Sequence, residues 1–479
     1  MEVLSAASEF FPLSKTGGLG DVVGALPKVL APLGISTTTL IPAYPGLVEK
    51  LSAVSKIAEL ELLGEKADLL AGSFEDIPIL LLDCASLFAR PGGPYLNEQG
   101  VDHPDNWKRF GALSLAAAYI AAGKGGPWRP DLVHLHDWQT GLAAAYMAAL
   151  GVKIPIVTTI HNLAFQGQFS ADIFTRLGLP ASYFSTEYLE YYGDISYLKS
   201  GIVLSDAITT VSPTYAREIL TDDMGMGLQG VLSERRERLQ GIVNGIDTDV
   251  WDPAKDPLIP ARYDRRSLKR RDINKSEIVE RFGLVDDGGP IMSVISRLTW
   301  QKGIDILTAV VPGIVDRGAK LVVFGQGDPS LINPLIDLAS KYQGRVAVFA
   351  GFSEAHAHLL HAGSDIVVQP SRFEPCGLTQ LYALRYGAIP IVSRTGGLAE
   401  TIIDANEAAM AAGVATGFQF NPGSAEDLYH AVDRALRSYE QPDFWRKLQS
   451  HAMKADFSWK RSARQYAKIY SRVLRSGPS

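Results

Sequence analysis

Short runs of apolar and β-branched residues recur along the chain, and longer stretches with apolar residues three and four apart follow them. That alternation of strand-length and helix-length patterns predicts an α/β fold, with parallel sheets covered by helices. Up to about Leu239 the strand-like runs are Val3–Ala7, Ser36–Ile41, Ile77–Asp83, Leu132–His136, Ile156–Ile160 and Ala207–Val211. Helical stretches such as Val22–Leu30, Trp107–Ala122 and Gly141–Leu150 lie between them. The pattern changes at Gly241–Asp252 and stays polar, proline-containing and charge-rich to about Gly288, which predicts an interdomain crossing over 241–289. A second α/β rhythm starts at Pro290, with strands predicted at Ile291–Ser296, Lys320–Phe324, Val346–Ala350, Asp365–Gln369 and Ile389–Ser393. Two domains are therefore expected, 1–240 and 290–456. The final helical stretch, Trp459–Leu474, follows a break at Asp456–Ser458 and is expected to pack back on the first domain.

Composition narrows the function classes. At 479 residues the chain is too long for one ordinary core. Hydrophobic content of 46% with 20% charged residues describes a globular protein, and no stretch of eighteen apolar residues predicts a membrane span. A net charge of −6 with scattered Lys and Arg argues against nucleic acid as a partner. The longest basic cluster, Arg262–Arg271, reads as solvated linker. Two cysteines, Cys84 and Cys376, give no disulfide framework, no signal peptide is expected, and a cytoplasmic setting follows as the expectation.

The chemistry concentrates at loops that follow strands. In Pro370–Gln380 a strand gives way to a helix over Thr379–Tyr386, with Pro375 expected at the helix start and the amides of 377–379 turned outward as an anion site. Glu374 at that site reads either as a cap for those amides or as a carboxylate that stabilises a cation beside a departing phosphate. Arg297 and Lys302, in the loop after the first strand of the second domain, are placed to converge on a diphosphate. Thr395-Gly396-Gly397 is a further glycine turn expected at the same anion. In the first domain, Lys15-Thr16-Gly17-Gly18-Leu19-Gly20-Asp21 follows a strand and precedes a helix, so amides near Gly18 approach an anion while Lys15 adds charge. Its glycine spacing departs from the dinucleotide fingerprint, and no acid for a ribose ends the second strand, which argues against a nicotinamide enzyme. His134, His136 and His161 lack the spacing of a metal site, and no metal is expected. Core packing or hydroxyl recognition suits His136. His161 and Asp137 suit sugar hydroxyls, with Trp138 or Tyr95 offering a ring face.

Taken in order, Lys15–Val22, His136-Asp137-Trp138-Gln139, Val243-Asn244-Gly245-Ile246-Asp247, Ser296-Arg297-Leu298 with Gln301-Lys302-Gly303, Pro370–Gln380 and Thr395–Leu398 resemble the bacterial glycogen synthases and plant starch synthases. The resemblance covers nearly the whole chain. It implies two facing Rossmann-like domains of the GT-B type with the active site in the cleft between them. It also implies retaining transfer of glucose from ADP-glucose to the non-reducing-end 4-hydroxyl of an α-1,4-glucan such as glycogen, with neither cofactor nor metal. On that resemblance Lys15 and the amides near Gly18 would touch the donor, with Asp21 and Asn244 beside them. Arg297 and Lys302 would neutralise the leaving diphosphate, Glu374 would stabilise the oxocarbenium ion, and the amides of Gly377, Leu378 and Thr379 would hold phosphate. His161 would contact the transferred glucose, Phe352 would stack on adenine, and Tyr95, Asp137, Trp138 and Asn162 would line the sugar side.

Three positions depart from relatives. Many related transferases carry a second glutamate eight residues after the first, where this chain has Tyr382; Gly20 stands in place of Ala, and Phe352 in place of Tyr. A retaining hydrolase needs two carboxylates about 5 Å apart. With one, the departing diphosphate itself can accept the acceptor's proton on the same face, and catalysis rests on electrostatic stabilisation. Alternatives with the same fold are a transferase using UDP-glucose or a small acceptor, a pyridoxal-dependent phosphorylase, and a glucan-binding protein without catalysis.

Overall fold

In the structure, a computed structural model that describes residues 1–477, the first apolar run becomes strand β1 (Glu2–Ala6), buried from Val3 onward. It is followed by β2 (Ser36–Pro42), β3 (Ser52–Leu62), β4 (Glu65–Phe74), β5 (Ile77–Asp83), β6 (Leu132–His136) and β7 (Ile156–Ile160). A small antiparallel sheet of β8 (Gln168–Phe169), β9 (Glu190–Tyr191) and β10 (Asp194–Ser196) intervenes before β11 (Ala207–Thr210) and β12 (Leu239–Gly241). The large sheet runs β12-β11-β7-β6-β1-β2-β5-β4-β3. It is parallel from β12 to β5 and closes with the antiparallel hairpin β3–β4.

That hairpin corrects the expectation of a purely parallel first sheet. Only Leu60 and Leu62 of β3 are buried, so its apolar alternation is too brief to register against the charged residues on its open face. The pairing direction reverses at β5, which runs parallel to β2 and antiparallel to β4.

The second sheet has β13 (Ile291–Ile295), β14 (Lys320–Phe324), β15 (Val346–Phe349), β16 (Ile366–Gln369), β17 (Ile389–Ser393) and β18 (Phe418–Phe420). All pair in parallel, in the order β15-β14-β13-β16-β17-β18. The chain order reverses between β13 and β16, where a doubly wound sheet leaves a crevice at the carboxyl ends of its strands. In the first sheet the reversal falls between β1 and β6.

The chain divides into two units, Met1–Gly245 with the C-terminal stretch from Trp459, and Ile246–Ser458. Helix Trp459–Ser476 buries Trp459, Ala463, Tyr466, Ile469, Tyr470 and Val473 against Val22, Leu26 and Leu30 of helix Gly18–Leu30, in the first unit. The segment 246–289 is not a free crossing. It docks on the second unit, where Arg271 is buried and donates to the carbonyls of Ser364 (2.5 Å) and His361 (3.4 Å). Tyr263 donates to the Tyr386 carbonyl at 2.7 Å, and the Asn274 side chain pairs with both backbone groups of Ala261. Within the basic cluster Arg262, Arg265, Arg266, Lys269 and Arg270 are exposed, as a solvated segment requires, and Arg271 alone departs, its guanidinium satisfying buried carbonyls instead of meeting water. No helix of the described residues is long and apolar enough to cross a membrane.

Candidate functional site

At the β13/β16 reversal of the second unit, Lys302 donates to Glu374 Oε2 at 2.5 Å, with both side chains largely withdrawn from solvent. Ser371 donates to the same oxygen at 3.0 Å. Glu374 Oε1 takes no partner among the described residues, so the carboxylate has one anchored and one open oxygen. Lys302 comes from the loop after β13 and Glu374 from the loop after β16, and the two loops are tied together. The Arg372 amide donates to the Gln301 carbonyl at 2.9 Å, and the Gln301 side chain donates to the Phe373 carbonyl at 3.2 Å. Arg297 is exposed and makes no ion pair among the described residues, which leaves its fork available to an anion. The amides of Gly377 and Leu378 find no acceptor there either, while Thr379 Oγ1 donates to the Ile295 carbonyl at 3.3 Å. Phe352, after β15, is 80% exposed.

Close backbone approach explains several glycines. Gly303 has φ +67°, and a Cβ there would lie 1.9 Å from the Pro370 carbonyl oxygen. Gly325 and Gly327, after β14, leave no room for a Cβ against the Ser296 and Leu298 carbonyls, so a third loop is packed onto the one bearing Arg297. Two expectations are corrected. Pro375 does not start the helix; the Thr379–Tyr386 helix begins after Leu378, and Pro375 lies in the preceding turn. Thr395-Gly396-Gly397 does not open toward an anion, because the Gly397 amide donates to the Glu374 carbonyl at 3.0 Å and its missing Cβ admits the Cys376 carbonyl. That turn holds the Glu374 loop from behind. Cys376 is a buried cysteine within it, outside any disulfide. Tyr382 stacks on Trp251 at 3.7 Å, and Trp251 also stacks on His358 at 4.0 Å.

In the first unit the histidines form a buried column at the carboxyl ends of β6 and β7. His134 Nε2 meets Thr159 Oγ1 at 2.6 Å and His134 Nδ1 meets the Tyr470 hydroxyl at 2.8 Å. His136 Nε2 meets Ser5 Oγ at 3.2 Å, and His136 Nδ1 meets His161 Nε2 at 3.0 Å. Burial holds His134 and His161 down to about 3 and His136 well below its ordinary value, so all three are neutral. The ring nitrogens of His134 and His136 are thus spent on protein partners. Among the described residues no group of three or more His, Cys, Asp or Glu is arranged to hold a metal.

Asp137 adopts φ +56°, ψ −165°, a conformation that costs a non-glycine residue about 1–3 kcal/mol. Its carboxyl group accepts from the His161 amide at 2.6 Å and from the Asn162 amide, and burial pushes its pKa up to about 8. The expected hydroxyl ligand is therefore first a clamp between the β6 and β7 loops, tied to the backbone of His161 and Asn162. Asn162 closes its own turn by accepting from the Ala164 amide at 3.1 Å. Asn244 is buried, with an Oδ1 that has no partner.

The glycine loop differs from its expected form. Lys15 pairs with Asp21 at 2.7 Å, and the amides of Thr16 and Gly17 donate to Glu9 Oε2, the latter at 3.2 Å. Tyr95 donates to Glu9 Oε1 and meets Ser8 Oγ at 2.8 Å. Burial raises the Glu9 pKa against the lowering effect of these donors. An internal carboxylate thus already fills the amides nearest Gly17. Tyr95 serves that network through its hydroxyl instead of offering a ring face, and Trp138 packs edge-on against Phe110 (5.0 Å) and Phe169 (5.8 Å). Glu9 was the overlooked residue; a charge interrupting the run that leaves β1 was its signal in the sequence.

The comparisons with known proteins bear on this geometry. Residues 2–234 match the family described as starch synthase catalytic domain, and residues 276–449 match glycosyl transferases group 1. The chain is 53% identical to glycogen synthase 1 of Rhizobium radiobacter over 479 residues, covering 100% of each. It is 50% identical to glycogen synthase of Mesorhizobium japonicum, covering 99% of each. Among solved structures, the catalytic domain of starch synthase IV from Arabidopsis thaliana, bound to ADP and acarbose, superposes with a TM-score of 0.90 at 30% identity over 99% of both chains. Sucrose-phosphate synthase from Thermosynechococcus elongatus, at 17% identity and a TM-score of 0.60, shares the fold.

Proposed function

The chain belongs to the glycogen and starch synthase family of GT-B glycosyltransferases, and from that premise we propose that it elongates an α-1,4-glucan by retaining transfer of glucose from ADP-glucose. It is a hexosyltransferase of the glycogen synthase type, with a sugar nucleotide as donor and a glucan as acceptor. The choice of ADP-glucose, the residue roles and a metal-free reaction are the proposal.

One observation carries it: a lysine–glutamate pair, the glutamate buried and the lysine half-buried, at the strand-order reversal of a nucleotide-binding type of sheet, beside an unpaired arginine and open amides. In the reaction the bond from glucose C1 to the diphosphate oxygen breaks and a bond from C1 to the acceptor's O4 forms. The O4 proton passes to the departing phosphate. Arg297, Lys302 and the amides of Gly377 and Leu378 stabilise the charge arriving on that phosphate. Glu374 faces the cationic sugar with its open oxygen. In the first unit, His161 presents to the glucose a neutral ring positioned by His136 and Asp137.

The test is transfer of labelled glucose into glycogen from ADP-glucose and, separately, from UDP-glucose, with chelator present. Rapid incorporation from ADP-glucose supports donor, acceptor and metal-free chemistry together. Faster transfer from UDP-glucose overturns the donor assignment, and activity abolished by chelation overturns the metal-free route.

A further inference from the structure

Trp300 lies two residues before Lys302 and is 59% exposed, an unusual condition for the largest apolar side chain. It is not loose. The Arg372 guanidinium sits over its ring at 4.4 Å and donates to the Trp300 carbonyl at 2.8 Å. Arg372 is fixed in turn by a two-pronged pair with Asp305, at 2.7 Å on each prong. Asp305 holds Arg372 more strongly protonated, and the Arg372 fork holds the Asp305 carboxyl below its usual range.

Both loops of the site show the same spacing: Trp300 precedes Lys302 by two residues, and Arg372 precedes Glu374 by two. The contact between Trp300 and Arg372 is therefore registered to the contact between Lys302 and Glu374. A rigid, exposed indole beside a glycosyl-transfer site matches the apolar C–H face of a pyranose, which stacks on the negative face of an aromatic ring. Holding the ring in place beforehand reduces the ordering cost of binding.

We propose that Trp300, backed by Arg372, is a stacking platform for a glucose unit of the glucan acceptor. This rests on the synthase reading above. The donor's adenine is the competing occupant of an aromatic face, and Phe352 is the exposed ring already assigned to it.

The test compares wild type with Trp300→Ala and Trp300→Phe. Maltoheptaose and ADP affinities are each measured by titration calorimetry, and mobility is followed in glycogen-containing native gels. Trp300→Ala is expected to weaken maltoheptaose binding about three- to tenfold, from the usual value of one aromatic stacking contact. Trp300→Phe retains part of the affinity, ADP binding is unchanged, and the unfolding midpoint stays near wild type because the ring is exposed. Weakened ADP with unchanged maltoheptaose assigns the platform to the base and overturns the proposal, as do two unchanged affinities. Wild-type protein that binds ADP but no glucan at all would overturn the synthase reading itself, a failure distinct from a wild-type affinity that Trp300→Ala leaves intact.

Discussion

Replacing Glu374 with Gln keeps the shape of the side chain and removes its charge. In the structure that charge sits 2.5 Å from the Lys302 ammonium, with both partners largely out of water. Breaking a buried ion pair by removing one charge costs about 3–5 kcal/mol. The amide oxygen of Gln can still accept from Lys302 and Ser371, and such retained bonds offset about 1 kcal/mol. The second unit should therefore lose about 2–4 kcal/mol, a fall in Tm of roughly 4–16 °C for a domain of its size. The catalytic effect is separate and larger. One lost electrostatic stabiliser typically lowers kcat about 10²–10³-fold. Initial rates of glucose incorporation, taken well below the unfolding transition, should fall by at least that lower bound while ADP affinity changes little. The companion Lys302→Gln breaks the same pair but should weaken ADP as well, since Lys302 is assigned to the diphosphate. If Glu374→Gln turned over at near wild-type rate, its role would be structural alone and the oxocarbenium assignment would fail.

Gly303→Ala should destabilise the second unit by several kcal/mol and cut activity in step, because a Cβ would lie 1.9 Å from the Pro370 carbonyl in a left-handed position; a soluble variant with an unchanged melting curve would contradict that packing. Tyr470→Phe removes the 2.8 Å bond to His134 Nδ1 and should cost about 1–3 kcal/mol, read by urea unfolding, with no effect on catalysis beyond that loss. Stability should fall as pH drops from 7.5 to 5.5. His134 and His161, at about 3 in the folded chain, stay neutral there while the unfolded chain takes up protons near pH 6.5, so each forfeits about 1.4 kcal/mol per pH unit below that value. His136 acts in the same direction, whereas Asp137, protonated in the folded chain up to about 8 but ionised above about 4 when unfolded, opposes them as a single group. Urea midpoints that stay flat or rise on acidification would show that the column is not buried and neutral.

The strand positions were legible because parallel strands buried on both faces read as continuous apolar runs, as in Lys320–Phe324 and Ile389–Ser393. The hairpin β3–β4 was not, since most of β3 faces solvent and pairing at a sheet margin leaves little apolar signature. Site residues on loops after strands were legible for the same topological reason: Arg297, Lys302 and Glu374 follow β13 and β16. Their partners were hidden. Nothing local to Lys302 says that it meets Glu374 across 72 positions, or that Glu9 fills the amides of Thr16 and Gly17. Gly20 shows how context changes a reading. A Cβ at this position would meet Glu9 Oε2 at 3.2 Å, so the residue type there is coupled to a carboxylate that sequence alone does not connect to it.

The place of the absent second glutamate bears on the mechanism. Tyr382 lies flat on Trp251, so a carboxylate there would replace a ring in an aromatic stack and lose that contact. Glu374 consequently has to act without a second acid. Its anchored oxygen shares the Lys302 charge, and this sharing ties the two halves of the proposed reaction together. In that proposed reaction, negative charge arriving on the departing phosphate would draw Lys302 toward it and away from Glu374. The carboxylate then presents more uncompensated charge as the sugar becomes cationic. A pair that is nearly neutral before reaction can thus polarise in step with bond cleavage, giving more stabilisation to the transition state than to the bound substrate, which is the condition for raising kcat.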